Sequence, residues 1–79
     1  MMAEVATMYE FDAAKRAGEV LRQLIQKRYS SQEAFADDFG TDVRTVNRYV
    51  NNGINKISVL QELAIFFDVS IVEFLKQEE

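Results

Sequence analysis

Residues 32–50 read QEAFADDFGTDVRTVNRYV, and the spacing of their apolar residues divides them into two short helices around Gly40. Ala34, Phe35, Ala36 and Phe39 fall largely on the inner side of the first, and Val46, Tyr49 and Val50 on the inner side of the second. An abrupt turn between them calls for a left-handed residue, a conformation that Gly40 adopts without steric cost. Asp42 follows as an N-cap, and the small side chains of Ala34 and Ala36 allow the helices to approach closely. This is the layout of a helix-turn-helix. At 100° per residue counted from Val43, Arg44, Asn47, Arg48 and Asn51 fall between about 40° and about 140°, whereas Val46, Tyr49 and Val50 fall between about 240° and about 340°. The polar face, over a helix at about 42–51, carries the donor and acceptor pairs that suit guanine and adenine edges in the major groove. An ordinary solvated face is the bland alternative. Val43 lies on the border and is equally suited to meeting a thymine methyl or to packing.

Working outward, the chain of 79 residues is one domain, near the size at which a single core barely suffices; 48% apolar residues is enough to build it. There is no Cys and no His, which removes thiolate metal sites, disulfides and the commonest general base. Asp37 and Asp38 are adjacent carboxylates, but neighbours on a helix point about 100° apart and do not share a substrate. No catalytic, metal or cofactor site is expected. Neither a membrane-length apolar run nor an export signal is present in the sequence, so a cytoplasmic protein is expected.

The net charge of −4 runs against the usual basicity of DNA-binding domains. The charge is unevenly spread. Residues 12–29 carry five basic groups (Lys15, Arg16, Arg22, Lys27, Arg28) against Asp12 and Glu19, whereas residues 57–79 carry Lys76 against five acids. Non-specific affinity is therefore expected to be weak.

Residues 1–11 show no clear cap and are expected to form a flexible tail, with an extra helical turn or a swapped arm as alternatives. The domain proper is expected over 12–79. Its first helix starts at Asp12, with Phe11 as a hydrophobic staple, and runs to about Arg28, burying Leu21, Leu24 and Ile25. Gly18 in mid-helix implies that something packs closely against it. Ser30 and Glu33 are spaced as a capping box, with Ser31 a competing cap. Asn51-Asn52-Gly53 is turn chemistry. Ile57, Leu60, Leu63, Ala64 and Phe67 give a fourth helix its buried face, and Ser70 with Glu73 opens a fifth containing Phe74 and Leu75.

From Ala17 to Leu75 these landmarks resemble the phage-repressor/Cro-type helix-turn-helix family. The resemblance rests on Gly18, Leu21, Leu24, Ser31-Gln32, Phe35-Ala36, Gly40, Val46, Arg48, Leu60, Leu63-Ala64 and Phe67-Asp68-Val69-Ser70 at the family's spacing. It implies an all-α, compact five-helix, lambda-repressor-like domain acting on double-stranded DNA as a transcriptional regulator, a repressor from a bacterium or its phage. It further implies base reading by Val43, Arg44, Asn47 and Arg48, and phosphate contacts by Gln32, Thr45, Asn51, Asn52 and Lys56. A homodimer through Phe66, Val72 and Leu75 is expected, because Phe66, Ile71, Val72, Phe74 and Leu75 exceed what one small domain hides. The alternative is a protein-binding module that pairs with another regulator through the same C-terminal helix, a reading the acidic balance favours.

Three departures stand out. Ile25 and Val50 occupy positions where family members carry a buried arginine–glutamate pair; their joint replacement by apolar residues implies that the two helices still touch. Gly53 stands one residue later than the family's loop glycine. Asp42 replaces a neutral cap and shifts the expected DNA contacts toward Asn47 and Arg48.

Overall fold

The computed structural model describes the backbone of residues 2–75 and the side chains of residues 13–75. The described residues form five helices in the order α1 (Met2–Arg28), α2 (Gln32–Phe39), α3 (Val43–Asn52), α4 (Ile57–Phe67) and α5 (Val72–Leu75). The expected start of the first helix at Asp12 is corrected: α1 begins at Met2 and passes through Asp12. No Gly or Pro interrupts residues 2–12, and Ala3, Glu4, Ala6 and Met8 are good helix formers, so nothing stops the helix from extending upstream. The proposed staple by Phe11 concerns a side chain outside the described ones.

Ala14, Ala17, Leu21 and Ile25 recur at spacings of three and four and form the buried stripe of α1. Leu24 packs half-buried beside them. Around this stripe gather Phe35 and Ala36 of α2, Val46 and Val50 of α3, Ile54, four residues of α4 (Leu60, Leu63, Ala64, Phe67) and Phe74 of α5. Ile25 and Val50 are both members of this one core, so no charge is left alone inside it. Phe35 is its aromatic centre. Its ring lies 5.3 Å from Phe39, 5.4 Å from Phe67, 5.5 Å from Tyr29 and 5.6 Å from Phe66, and Arg28 stacks its guanidinium 5.5 Å from the Phe67 ring centre.

Two expectations about α4 and α5 change. Ile57, expected in the buried face of α4, is 59% exposed. It is the first residue of its helix and, at 100° per residue, sits at the edge of the stripe made by Leu60, Leu63, Ala64 and Phe67. Phe74 is fully buried and Ile71 packs against the core, so the apolar surplus on α5 shrinks to Val72 and Leu75.

The connections explain how α3 is aimed. Ser31 caps α2, its Oγ accepting from the Ala34 N–H at 3.1 Å, which places Gln32 at the first helical position. Gly40 ends α2 in the left-handed region at φ 92°. Tyr29 donates its hydroxyl to Asp38 at 2.6 Å, tying the end of α1 to α2; that bond holds the phenol's proton and raises its pKa. At Gly18 a Cβ would stand 2.4 Å from the Tyr49 carbonyl oxygen and 3.1 Å from that of Val50. The close approach implied by the mid-helix glycine is thus to the backbone of α3.

Gly53 makes a second seat. Its φ of 102° and ψ of 170° lie in a region that side chains exclude, and a Cβ there would meet the Ala14 carbonyl oxygen at 2.7 Å. The next residue, Ile54, donates its N–H to that same oxygen at 2.9 Å. The displaced position of this glycine therefore has a physical reason: α3 continues helical to Asn52, and the chain leaves it by docking on α1.

Candidate nucleic-acid interface

The fold turns α3 so that Val46 and Val50 are buried while Arg44, Asn47, Arg48 and Asn51 are exposed. Four polar side chains predicted to share one face therefore face solvent together. Val43 is half-buried and packs against the core. Asn51 and Asn47 are not independent: the Asn51 Nδ2 donates to the Asn47 Oδ1 across one helical turn.

Asp42 caps the helix as its sequence position requires, its Oδ1 accepting from the Thr45 N–H at 2.8 Å. That bond, then the Thr45 hydroxyl, then the guanidinium groups of Arg44 and Arg48 hold the Asp42 carboxyl below its ordinary pKa of 3.8. A lowered folded pKa means that the ionised form favours the fold. The cap's contribution is complete above 3.8 and is lost as the pH falls through the lowered value. Asp42→Ala should accordingly lower the Tm at neutral pH, and the gap from the parent protein should close in acid. Melting curves by circular dichroism across that range check this; a gap independent of pH would mean that the charge is not what caps the helix. The carboxylate also sits beside two cations before any phosphate arrives, which blunts the repulsion expected of an acidic cap.

At the far end of α3 an open cleft of about 400 Å³ is lined by Arg48, Asn52, Asn55 and Lys56, with Gly53 and Tyr49 alongside. Two expected phosphate contacts, Asn52 and Lys56, are thus brought together with a proposed base reader, Arg48. Asn55 joins them although helical spacing does not mark it; its signal is only its place between the Gly53 turn and Lys56. Its neighbours supply amide donors and two positive charges, chemistry that suits a phosphate. Asn51 is not among the cleft's residues. Gln32 lies elsewhere, half-buried at the start of α2, and Thr45 is half-buried with its backbone N–H already used by Asp42.

The residues expected at a dimer contact divide. Val72 is 60% and Leu75 40% exposed on α5. Phe66 is half-buried, with its ring 5.1 Å from Phe39 and 5.3 Å from Phe67, so much of it belongs to the core. Ile65, which no periodicity argument singled out, is 81% exposed because it lies a turn of about 100° away from Ala64 on α4.

Among the described residues no helix is long and apolar enough to cross a membrane, and no group of three or more acidic, His or Cys side chains is placed to hold a metal ion. Neither a curated protein nor a solved structure matches the chain significantly. A helix-turn-helix family model does match, over residues 21–74, a span that takes in the end of α1 from Leu21, the helix-turn-helix unit, α4 and Phe74. The chain therefore belongs to the phage-repressor/Cro-type helix-turn-helix family of DNA-binding transcription regulators.

Proposed function

We propose that this protein is a sequence-specific repressor that binds an operator as a two-fold dimer, with α3 in the major groove of each half-site. The observation that carries the reading is the exposed row of Arg44, Asn47, Arg48 and Asn51 on a helix whose opposite face is buried and whose backbone is seated on α1. Arg44, Asn47 and Arg48 read base edges; Val43, half-buried, adds at most an apolar contact to a thymine methyl. Gln32, Thr45, Asn52 and Lys56 meet phosphates. The apolar side chains of Val72 and Leu75, with the outer edge of Phe66, form the dimer contact, and two-fold pairing sets the α3 helices about one DNA turn, roughly 34 Å, apart. With a net charge of −4, the protein relies on base contacts and dimer avidity more than on bulk electrostatic attraction.

The test is selection from a random duplex library at low and moderate salt, with an Arg44→Ala/Arg48→Ala variant as control. The parent protein should enrich a two-fold symmetric site that the double variant loses. Each arginine making a bidentate guanine contact should contribute about 1–3 kcal/mol and fix one base. Uniform weakening across all sequences on Arg48→Ala would make that residue a phosphate contact instead. Absence of any enriched site would overturn the reading and direct attention to a protein partner for α5.

A further inference from the structure

We propose that Asn51 is a positioning residue for base recognition, orienting Asn47 so that Asn47 enters the groove as a hydrogen-bond donor. This rests on the DNA-reading role of α3 proposed above. It also separates Asn51 from the phosphate-binding residues with which its sequence position groups it.

The two asparagines stand four residues apart on the exposed face of α3, where side chains one turn apart meet. The Asn51 Nδ2 donates to the Asn47 Oδ1. An amide is planar, so fixing its oxygen toward the C-terminal turn holds its nitrogen on the other branch, away from Asn51. Reading adenine takes both ends of one amide at once, the oxygen accepting from N6 and the nitrogen donating to N7. In Asn47 one of the oxygen's two lone pairs is already engaged along the helix. The NH₂ group keeps both of its donors, and its major-groove partners are acceptors: O6 and N7 of guanine, or O4 of thymine. The same bond orders Asn47 before DNA arrives, which reduces the side-chain freedom lost on binding. Asn51 is absent from the cleft where Asn52, Asn55 and Lys56 converge with Arg48, in keeping with a role toward Asn47 rather than toward the backbone of the duplex.

The test compares base preferences selected by the parent protein, Asn51→Ala, Asn47→Ala and the double variant from one random duplex library. The parent protein should prefer guanine or thymine at one position of each half-site. Asn51→Ala frees the Asn47 carbonyl, and adenine at that position should gain roughly fivefold or more relative to the parent's preferred base. Asn47→Ala should flatten that position, and adding Asn51→Ala to it should change nothing further. Both side chains are exposed, and unchanged melting curves verify that the variants remain folded. If Asn51→Ala leaves every base preference as it was and weakens all sequences equally, with a shallower salt dependence, Asn51 is a phosphate contact and this proposal alone is overturned. A parent protein that enriches no site overturns the DNA-reading proposal and this one with it.

Discussion

Phe35→Ala is expected to remove about 3–5 kcal/mol of folding stability, a large fraction of what a domain of 79 residues holds. Phe35 has no exposed surface. Truncating it deletes a ring that contacts Tyr29, Phe39, Phe66 and Phe67. These neighbours come from α2, from α4 and from the turn after α1, so no single one can move into the space without leaving its own helix. Edge-to-face and stacked geometry adds about 0.5–1.5 kcal/mol per pair beyond burial, which places the loss toward the upper part of the range. Urea denaturation followed by circular dichroism measures it. Ile65→Ala, at an 81% exposed position, should stay within about 0.5 kcal/mol of the parent protein. A loss under about 1 kcal/mol for Phe35→Ala would mean that the aromatic cluster is not the centre of the core.

The second large effect is expected at Gly53. Alanine there must hold φ at 102°, a strain of about 1–3 kcal/mol. Its Cβ would also stand 2.7 Å from the Ala14 carbonyl oxygen and 2.8 Å from the carbonyl carbon, an overpacking of roughly 1–3 kcal/mol more. Those atoms belong to a helix backbone and cannot rotate aside, so α3 must lift from α1 and the bond from the Ile54 N–H to Ala14 is lost. For a domain of this size the sum corresponds to a fall in Tm on the order of 10 °C or more. Gly40→Ala separates the two causes, because φ is similarly positive at 92° but nothing lies within 4 Å of the added atom. Gly53→Ala should therefore melt well below Gly40→Ala; equal losses would show that backbone strain alone sets the effect and that the seat on α1 is soft.

The helix-turn-helix was legible because every signal within it agreed. Apolar spacing, Gly40 and the Asp42 cap all point to the same turn, and each acts over a few residues. Ser70 is legible in the same way, its Oγ accepting from the Val72 N–H at 3.2 Å. The start of α1 was not, because Asp12 is a good cap by residue type but the residues before it are also good helix formers, and a cap signal does not by itself stop a helix. The left-handed Asp68 that ends α4 at φ 59° escaped for a related reason: Asp tolerates that conformation without announcing it as Gly does. At the interface, the exposed row on α3 followed from periodicity alone. The bond between Asn47 and Asn51 and the meeting of Asn55 with Arg48 did not, since both depend on side-chain direction and on how the chain leaves the helix. The surplus on α5 was overstated because a sequence does not say that Phe74 points inward.

The two glycine seats also bear on how freely the outer face of α3 can vary. What Gly18 would meet is the Tyr49 oxygen, the Val50 oxygen and the Gly53 Cα, all main-chain atoms. The support of α3 at this seat is therefore indifferent to the side chains on its outer face. Arg44, Asn47, Arg48 and Asn51 can be exchanged as a set, by drift or by design, without altering the joint that holds them, so the scaffold behaves as a fixed handle carrying an interchangeable bit.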